Sequence, residues 1–486
     1  MKLTKLFDGF KYNVVLGNDE IEISKITDNT NDVSEDDVFF CIKGYNFDGH
    51  NFIDIVLSKG AKVIVINNDF ESKLPNDLDC VVISVDDTRK ALSIAAINFY
   101  GRLHEKFKII GVTGTNGKTT TTFILREIFK NAGFKTGIIG TISNFINDKK
   151  VKSERTTPGA LQLNELFNDM FKENVEYCFM EVSSHALELN RVYGIQFDYG
   201  VFTNLTQDHL DFHKNFSSYF DAKFKLFENS NKKIINNDDL YGKKIIENID
   251  SNVITYGIKE IKSDFVAKDI DFKNDETKFV VYDKFGKEYE FEYNLVGKFN
   301  IYNALPSIII ALNEGISVNV IRESLKNIFV AGRLENVSKK YNLDCDIYLD
   351  YAHTPDGLEN CLSTLKKISN GRIICVVGCG GDRDKEKRPL IGKIASELSD
   401  YVYITSDNPR SEDPEKIVQD IVSGIEKSNY EVVISRFDAI KKSIKNRKSS
   451  DIILIAGKGH EDYQILKDKV IHFDEREVID EILKEK

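Results

Sequence analysis

Short apolar runs alternate with amphipathic segments along the whole chain, and this alternation predicts an α/β fold. A strand is predicted at residues 61–66, and another at residues 107–112 leads into a glycine-rich loop. Residues 123–130 carry apolar side chains at helical spacing, and Asn131-Ala132-Gly133 should end that helix. The chain shows no internal repeat and no long linker.

In the last third of the chain, four apolar runs are each followed at once by polar residues. The runs cover residues 347–349, 373–377, 401–404 and 452–455, and the polar segments cover residues 350–353, 378–382, 406–410 and 457–461. Open α/β sheets bind ligands beyond the carboxyl ends of their strands. The pattern therefore predicts one cleft that the four segments share.

The length and the pattern together predict three domains. A chain of 486 residues is long enough for roughly three domains at about 150 residues each. We place them at residues 1–104, 105–332 and 333–486, with the glycine-rich loop near the start of the second.

Composition and charge narrow the function classes. The apolar fraction is 41% and the net charge is −11, which argues against a nucleic-acid scaffold because such a protein normally carries a basic excess. The start of the chain lacks a signal-peptide core, and no apolar run could span a bilayer. Seven scattered cysteines without C-x-x-C spacing fit reduced thiols. We expect a cytoplasmic protein without membrane insertion.

The sequence GVTGTNGKTTTT at residues 111–122 has the arrangement of a phosphate-binding loop: a strand, a glycine-rich turn, then Lys-Thr at a helix start. Lys118 would reach the β- and γ-phosphates of ATP, and the Thr119 hydroxyl would bind Mg²⁺. Val112 stands where the usual pattern has glycine, so a plain strand–turn–helix connection is the alternative. The next three threonines, poor helix formers because they are β-branched, are expected to pack in the first turn.

Two polar clusters downstream of this loop are candidates for the metal that accompanies ATP. Residues 178–182 read as a buried strand that includes Glu181, and Ser183-Ser184-His185 follow it. Residues 201–205 form a second apolar run, and the segment after it contains His209. Alone, Glu181 would more often be an ion-pair partner and His209 a capping residue. Carboxylate and imidazole groups are suitable Mg²⁺ ligands, and their position after predicted strands favours that role.

Several stretches together resemble the Mur ligase family, the ATP-dependent amide-forming enzymes of peptidoglycan precursor synthesis. They are TGTNGKT (113–119), RTTP (155–158), EVSSHAL (181–187), TNLTQDHLDFH (203–213), YFDAKFKLF (219–227), NIYNAL (300–305), GRLE (332–335), DYAHTPDGLE (350–359), GCGGDRDKEKRP (378–389), SDNPRSEDP (406–414) and AGKGHEDYQ (456–464). They span nearly the whole chain in the family's order. The resemblance implies a UDP-sugar-binding domain, a central P-loop ATPase domain and a C-terminal Rossmann-like domain for the incoming amino acid.

The resemblance also implies roles for single residues around ATP. The ATP-binding positions are Gly114, Thr115, Asn116, Gly117, Lys118, Thr119, Thr120, Asn300, Asn303, Arg333 and Asp350. Thr119, Glu181 and His209 match metal ligands, and Lys223 matches the family's carbamylated lysine. A carbamate would supply an anionic oxygen to Mg²⁺, whereas a free ammonium would repel the ion. Without the resemblance, Lys223 would read as a surface lysine on a helix.

Two further sets of positions match the family's substrate contacts. The positions for the UDP-linked substrate are Thr156, Thr157, Ser183, Ser184, Arg191, Asn29 and Thr30. The first domain departs from the family here, because Asp28-Asn29-Thr30 stands where Asp-Ser-Arg is common. The positions for the incoming amino acid are Arg388, Asp407, Asn408, Arg410, Gly457 and Glu461.

The implied reaction joins an amino acid to UDP-N-acetylmuramoyl-L-alanyl-D-glutamate, with ATP and Mg²⁺, through an acyl phosphate. Arg410 closes an Asp-Asn-Pro-Arg motif that is typical of meso-diaminopimelate addition, because its guanidinium can grip the distal carboxylate that L-lysine lacks. In isolation, Arg410 would read as a solvated loop residue. The alternatives are an L-lysine-adding enzyme, a folylpolyglutamate-synthetase-like ligase, and a nucleotide-dependent regulatory binder without ligase activity. We expect a monomer.

Overall fold

The structure is a computed structural model that describes residues 1–44, 47–75, 78–249, 251–272, 276–341 and 343–484. Strands and helices alternate through all of these ranges, which confirms the α/β class. The residues group into two compact units. Unit 1 comprises Met1–Gly111, Phe134–Gly200 and Lys225–Asn231, and unit 2 comprises Val112–Gly133, Val201–Phe224 and Lys232–Lys486.

The elements up to the end of the second sequence block are as follows in chain order. They are α1 (Leu3–Leu6), β1 (Asn13–Leu16), β2 (Ile26–Thr27), β3 (Val38–Phe40), α2 (Ile53–Ser58), β4 (Val63–Asn67), β5 (Val81–Val85), α3 (Thr88–Phe99), β6 (Lys108–Thr113), α4 (Lys118–Asn131), β7 (Thr136–Ile139), β8 (Asn144–Ile146), β9 (Lys149–Val151), α5 (Ala160–Lys172), β10 (Tyr177–Glu181), α6 (Ser184–Glu188), β11 (Phe197–Phe202), α7 (Leu210–His213), α8 (Phe216–Glu228), β12 (Ser230–Asn236), α9 (Leu240–Glu247), β13 (Val253–Gly257), β14 (Phe265–Phe272), β15 (Thr277–Asp283), β16 (Glu288–Tyr293), α10 (Lys298–Asn313) and α11 (Val318–Asn327).

The remaining elements belong to the third sequence block. They are β17 (Glu335–Asn336), β18 (Asp346–Asp350), α12 (Pro355–Ile368), β19 (Ile373–Val377), α13 (Lys387–Leu398), β20 (Tyr401–Ile404), α14 (Pro414–Val422), β21 (Tyr430–Val432), α15 (Arg436–Lys445), β22 (Ile452–Ala456), β23 (Tyr463–Leu466), β24 (Lys469–His472) and α16 (Glu475–Lys484).

Unit 1 contains a five-stranded sheet in the order β1-β5-β4-β3-β2, in which only the β1–β5 pair is antiparallel. The side chains of β3, β4 and β5 are almost all buried, as expected for parallel strands covered on both faces. Helix α3 begins where Asp87 accepts hydrogen bonds from two backbone amides of its first turn. In the same unit β7 pairs parallel with β10 and antiparallel with β8.

Unit 2 contains the strand run β13-β14-β15-β16, the part of β12 from Lys232 onwards, and the helix that follows the glycine-rich loop. This helix, α4, begins at Lys118 and ends at Asn131, which confirms the helix start predicted at Lys-Thr and the end predicted at Asn131-Ala132-Gly133. Thr119, Thr120, Thr121 and Thr122 all lie inside the protein, where α4 packs against α10 and α11. Tertiary packing therefore outweighs the poor helix propensity of threonine.

A six-stranded sheet in unit 2 has the order β17-β18-β22-β19-β20-β21, and every pair except β17–β18 is parallel. Helices α12, α13 and α14 cover one face, while α15 and α16 cover the other. Asp350 and Val377 both pair with Ala456, and Val377 also pairs with Ile404. The carboxyl ends of the four central strands are thus level, which confirms that the four polar segments start at one edge.

Candidate active site

The glycine-rich loop of unit 2 takes a shape that only glycine allows at two positions. Gly114 has φ +151° and Gly117 has φ +91°. A Cβ atom at Gly114 would lie 1.9 Å from Thr203 Oγ1, and one at Gly117 would lie 2.3 Å from Asn303 Oδ1. The predicted residues Gly114, Gly117 and Asn303 are therefore together, at the N-terminus of α4, where backbone amides favour phosphate oxygens.

Lys118 folds back over the loop, since its Nζ donates to the carbonyls of Gly114 and Thr115, both at 2.8 Å. Thr119 Oγ1 accepts from Arg333 Nη2 at 3.1 Å. Arg333 in turn stacks over the Tyr351 ring at 4.9 Å. The structure thus brings a predicted ATP contact of the last sequence block to the phosphate loop.

Polar side chains fix the loop from several sides. Thr115 Oγ1 lies 3.1 Å from the Tyr219 hydroxyl, and Asn116 Nδ2 donates to Asp356 Oδ2 at 2.9 Å. Asn303 Nδ2 donates to Asn300 Oδ1 at 3.3 Å.

Asp350, at the end of β18, binds the backbone amides of Leu334 at 2.6 Å and Ala352 at 2.7 Å. Burial raises the pKa of the Asp350 carboxyl, while the Arg333 charge and these amides oppose the rise. Asp350 therefore fixes the segment that carries Arg333.

The three threonines after Thr119 serve packing. Thr122 Oγ1 donates to the Thr119 carbonyl at 2.9 Å, and Thr121 Oγ1 donates to the Asn303 carbonyl at 3.3 Å. Thr120 is buried beside them. The hydroxyls of Thr121 and Thr122 are satisfied by the helix and its neighbour, whereas that of Thr119 contacts Arg333.

Lys223, on α8, is buried rather than exposed on a helix surface. Its Nζ donates to the Gly114 carbonyl at 2.9 Å and lies 4.5 Å from the centre of the Tyr219 ring. Burial, followed by the nearby Lys118 charge, holds the pKa of Lys223 well below its usual value. Its amine is therefore biased towards the neutral form, which is the nucleophilic form of a lysine.

Next to His209 the structure shows a charged cluster that sequence reasoning missed. Asp208 is buried and lies 3.4 Å from His209 Nε2, 3.5 Å from Lys387 Nζ and 3.8 Å from His353 Nε2. Burial alone would raise the pKa of Asp208, but these three neighbours lower it well below its usual value. The motifs around all four residues were visible in the sequence, while their convergence was not.

In unit 1, Glu181 ends β10 and is buried. Its Oε1 accepts from the Thr141 amide at 2.9 Å, and its Oε2 accepts from Thr141 Oγ1 at 3.0 Å. Thr141 Oγ1 also lies 3.0 Å from Thr156 Oγ1. A Cβ atom at Gly140 would lie 2.3 Å from Glu181 Oε1, so the backbone closely surrounds this carboxylate.

The other predicted substrate residues of unit 1 adjoin Glu181. Thr157 Oγ1 donates to the Glu181 carbonyl at 2.8 Å and accepts from the Ser183 amide at 3.0 Å. Ser183 then caps α6, whose first residue is the buried Ser184. Arg191 Nη1 donates to the Thr157 carbonyl at 2.9 Å.

Arg191 lies in a positively charged environment. Burial, with the charges of Arg155 and Arg89, lowers the pKa of Arg191 to about 10. Three mutually repelling guanidinium groups would be stabilised by an anionic ligand such as a diphosphate or a carboxylate.

Asn29 and Thr30 make local contacts. Asn29 Nδ2 donates to Asp32 Oδ2 at 2.8 Å, and the Thr30 carbonyl accepts from Lys59 Nζ at 2.7 Å. Nothing in these contacts points to uridine, and their role stays a prediction from the resemblance.

At the strand-end edge of the six-stranded sheet, the predicted amino-acid-binding residues form one network. Asn408 Nδ2 donates to Glu461 Oε2 at 2.9 Å, and the fully buried Lys458 donates to the same Glu461 oxygen at 3.0 Å. A Cβ atom at Gly457 would lie 2.9 Å from Asp407 Oδ2. Lys458 is a member of this network that the sequence did not single out.

The two predicted arginines of this network differ in their surroundings. Arg410 Nη1 donates to the Gly381 carbonyl at 2.7 Å, and burial with the Arg383 charge lowers the pKa of Arg410. Arg388 is 1% exposed and already binds two protein carboxylates, Glu412 and Asp420, each through Nη1–O contacts of 3.0 Å or less. Arg388 is thus neutralised by protein carboxylates, whereas the bond that the structure gives for Arg410 is to a backbone carbonyl; contact of either arginine with a ligand carboxylate stays a prediction.

Within the described ranges, no group of three or more His, Cys, Asp or Glu residues is arranged to hold a metal ion. The predicted Mg²⁺ ligands do not consist of these four residue types alone, because they include a carbamate on Lys223. All seven cysteines are free thiols, and Cys375 and Cys379 are buried. Among the described residues, no helix is both long and apolar enough to cross a membrane.

A cavity of about 490 Å³ in unit 1 lies apart from these groups. It is lined by residues where β6, β10 and β11 begin, including His104 and Tyr177. Glu181 lies at the other end of β10, so this cavity does not contain it.

Three family models match successive parts of the chain. "Mur ligase family, catalytic domain" matches residues 22–100, "Mur ligase middle domain" matches residues 112–311, and "Mur ligase, glutamate ligase domain" matches residues 332–459. Together they cover most of the 486 residues.

Curated relatives and a solved structure match over almost the whole length. Proteins named UDP-N-acetylmuramoyl-L-alanyl-D-glutamate--2,6-diaminopimelate ligase from Clostridium tetani and Clostridium botulinum are 50% and 51% identical to the chain, and each comparison covers 100% of both sequences. A solved structure of a ligase with the same name is 28% identical, has a TM-score of 0.66 and covers 95% of each chain.

Proposed function

The chain belongs to the Mur ligase family, and we propose that it is an ATP-dependent ligase that adds meso-diaminopimelate to UDP-N-acetylmuramoyl-L-alanyl-D-glutamate. The observation that carries the choice of amino acid is Arg410, which follows β20 at the shared strand edge with donor capacity beyond its bond to Gly381. The curated relatives that bear this activity in their names, at about half identity over the full length, support the same assignment.

In the proposed reaction the D-glutamyl carboxylate attacks the γ-phosphorus of ATP. ADP leaves, and an acyl phosphate is formed. The amine of the amino acid then attacks the acyl carbon, and phosphate leaves. Lys118, Arg333 and the amides at the start of α4 would neutralise the phosphate charge and hold the groups in line. This chemistry is mainly positioning and charge stabilisation, so it requires no Ser or Cys nucleophile.

In unit 2, Thr119, His209 and a carbamate on Lys223 are groups of the kind that Mg²⁺ binds; they would hold the ion, and it would supply positive charge next to the phosphates. The metal role of Glu181, in unit 1, stays a prediction from the resemblance. The buried, low-pKa amine of Lys223 supports this ligand set, since only a neutral amine can attack carbon dioxide to form a carbamate. Glu181 has both oxygens fixed by Thr141, so its carboxylate is held in one orientation.

We assign the UDP-linked substrate to the residues around Thr157 and Arg191 in unit 1. Their cationic surroundings, with Arg155 and Arg89, fit a ligand that carries both a diphosphate and carboxylates. The domain limits proposed from the sequence, near residues 104 and 332, are supported by family matches that end at 100 and begin at 332.

The alternatives differ in what the protein should turn over. An L-lysine-adding enzyme would leave the Arg410 guanidinium without an anionic partner. A folylpolyglutamate-synthetase-like ligase would not need the Asp407–Arg410 motif. A regulatory nucleotide binder would not need a buried reactive lysine.

Phosphate release measured with ATP, Mg²⁺ and each substrate in turn tests the proposal. We expect release only when both UDP-N-acetylmuramoyl-L-alanyl-D-glutamate and meso-diaminopimelate are present. Release with L-lysine at equal or higher specificity would select the first alternative. Release with a folate and glutamate would select the second, and release without any amino acid would select the third.

A further inference from the structure

The first residues of two helices in unit 2 form a completely buried ion pair. Glu475 begins α16 and Arg436 begins α15, and both side chains are 0% exposed. Glu475 Oε1 accepts from Arg436 Nε at 2.7 Å and lies 2.6 Å from Nη2. A pair enclosed in this way is costly to desolvate, and breaking it by removing one partner leaves a buried charge. Its place in the fold therefore calls for an explanation.

Arg436 reaches from this pair to the edge where the amino-acid-binding segments begin. Its Nη2 donates to the carbonyl of Ala456, the last residue of β22, at 2.8 Å. Its Nη1 lies 4.0 Å from Asp407 Oδ2, and Gly457 approaches the same oxygen closely. The guanidinium thus lies where the two polar segments, 406–410 and 457–461, follow β20 and β22.

The two carboxylate oxygens of Asp407 have different neighbours. Oδ1 accepts from the Asn408 amide at 2.6 Å. The backbone carbonyl of Asp407 accepts from the Gln464 side chain at 2.6 Å. Among the described residues, Asp407 Oδ2 and Arg436 Nη1 have no hydrogen-bond partner, so each is left facing the other's charge. In a buried environment this attraction is only weakly screened, and it restrains the side chain of Asp407.

Electrostatics keep the guanidinium charged in this position. Burial acts against the charge, but the carboxylates of Glu475 and Asp407 raise the pKa of Arg436 above its usual value. A permanent buried cation is a rigid reference point, because a guanidinium is planar and donates in fixed directions.

We propose that Arg436, held in place by Glu475, is a positioning residue for amino-acid selection: it fixes Asp407 and thereby the segment that presents Arg410. This inference rests on the proposed function. It assigns a specificity role to a pair that is 39 residues apart in sequence and belongs to neither polar segment.

The test is the variant Arg436→Lys, assayed by phosphate release with each substrate varied separately. Lysine keeps the positive charge but cannot bind Glu475 and the Ala456 carbonyl in the same fixed geometry while facing Asp407. We expect the KM for meso-diaminopimelate to rise about tenfold, with the KM for ATP, the KM for the UDP-linked substrate and kcat each within about twofold. A merely structural role would change all of these together or only the thermal stability.

Arg372→Lys is the matched control. Arg372 pairs with the buried Asp451 at 2.6 Å, at the edge of the same sheet where β19 and β22 begin. The Arg372→Lys variant should leave the KM for diaminopimelate unchanged.

Glu475→Gln is the second variant and carries the test if Arg436→Lys does not fold, because it keeps the side-chain shape while removing the negative charge that holds Arg436. We expect about a threefold rise in the same KM. An unchanged KM for diaminopimelate in a folded variant, or an equal rise in all three KM values, overturns the positioning role. If the unaltered protein shows no turnover with diaminopimelate, the proposed function itself fails, and that result is distinct from either.

Discussion

A lysine enclosed by protein, as Lys223 is, loses the hydration that stabilises its ammonium form. The nearby Lys118 adds repulsion, and the Gly114 carbonyl is the acceptor that the structure gives to Lys223 Nζ. Such an amine is at once a poor cation and a good nucleophile. This combination is unsuited to binding phosphate and well suited to forming a carbamate.

Replacing Lys223 with alanine should abolish turnover, because the proposed metal site would lose its carbamate oxygen. High bicarbonate or short carboxylates such as formate or acetate should restore part of the activity by entering the space left by the side chain. Phosphate release with and without these additives is the measurement.

Lys225→Ala is the control, since Lys225 lies two residues further on the same helix and forms an exposed pair with Glu188. Near-normal activity of the Lys223→Ala variant would disprove the carbamate.

We propose that Arg410 selects the amino acid, and this role also depends on a single side chain. Loss of a charge-assisted, bidentate contact should cost about 2–4 kcal/mol, or roughly 30- to 1,000-fold in kcat/KM for diaminopimelate. Arg410→Ala should therefore raise the KM for diaminopimelate and leave those for ATP and the UDP-linked substrate nearly unchanged. Arg410→Lys should recover only part, since an ammonium cannot reproduce the fork.

Competition between the two amino acids in one assay measures the same property in the unaltered protein. Arg447→Ala is the control for the loss of an arginine elsewhere in the third sequence block. Arg447 follows α15 and contacts Asp344 and the Ile444 carbonyl. Incorporation of L-lysine at the rate of diaminopimelate or above would refute both the substrate and the role of Arg410.

At the scale of elements, the phosphate loop and α4 depend on backbone conformations at their two ends. Gly117 precedes α4 with φ +91°, and Gly133 follows it with φ +93°. A Cβ atom at Gly117 would lie 2.3 Å from Asn303 Oδ1, whereas one at Gly133 would have no atom within 4 Å. The two positions share the same backbone strain and differ in the clash.

This difference makes Gly117→Ala and Gly133→Ala a matched pair. Both should lose about 1 kcal/mol of stability through the positive φ. Only Gly117→Ala should also displace the loop, so its KM for ATP should rise by at least an order of magnitude. Steady-state kinetics with ATP varied, together with thermal unfolding of both variants, is the measurement. Equal kinetics in the two variants would contradict the role of the loop.

Helices α13 and α14 are joined by a network that should respond to acid. Hydrogen bonds from Arg388 lower the pKa of Glu412 to about 2, against 4.5 in the unfolded chain. The stabilisation is therefore complete above pH 4.5 and is lost as the pH falls towards 2.

The free energy of unfolding should fall between pH 5 and pH 3, and in Glu412→Gln this fall should be about 1–2 kcal/mol smaller than in the unaltered protein. Urea unfolding at these two values measures it. Glu397→Gln, which changes an exposed partner of Lys393 on α13, should keep the pH dependence of the unaltered protein. An unchanged dependence in Glu412→Gln would show that the carboxylate does not act through Arg388.

The sequence could predict the strands and approximately where they end. The four apolar runs became β18, β19, β20 and β22 within a residue or two, since buried parallel strands leave continuous apolar runs. The strand predicted at residues 201–205 ends at Phe202, which places Thr203 and Asn204 in a loop where both bind Asn116.

The convergence of distant side chains could not be predicted in this way. Asp208 meets Lys387, and Arg436 meets Glu475, only because separate elements pack together, and neither pair leaves a local pattern. Likewise, nothing in the sequence distinguishes Arg388, whose guanidinium binds protein carboxylates, from Arg410 in the neighbouring motif.

At the scale of the whole molecule, the residues proposed to bind the substrates are divided between the two compact units. Thr157, Ser183 and Arg191 lie in unit 1, whereas Lys118, Arg333 and Arg410 lie in unit 2. A ligand that binds only the folded protein stabilises it by an amount that grows with the logarithm of the ligand concentration relative to Kd, about 2.7 kcal/mol at one hundred times the Kd. The two ligands should therefore raise the unfolding temperature through different residues.

Lys118→Ala and Arg191→Ala test this division as a crossed pair. Lys118→Ala should lose the rise in unfolding temperature produced by Mg-ATP and keep the rise produced by the UDP-linked substrate, because the latter contacts other residues. Arg191→Ala should show the reverse, since its guanidinium has no role at the phosphate loop. Thermal unfolding of each variant with each ligand, at fixed protein and ligand concentrations, provides the four comparisons. If Lys118→Ala still gains stability from Mg-ATP and releases phosphate, the loop at residues 113–119 is not the nucleotide site. If either variant loses both responses together, the two substrates share their binding energy, and the assignment of separate residues to each must be abandoned.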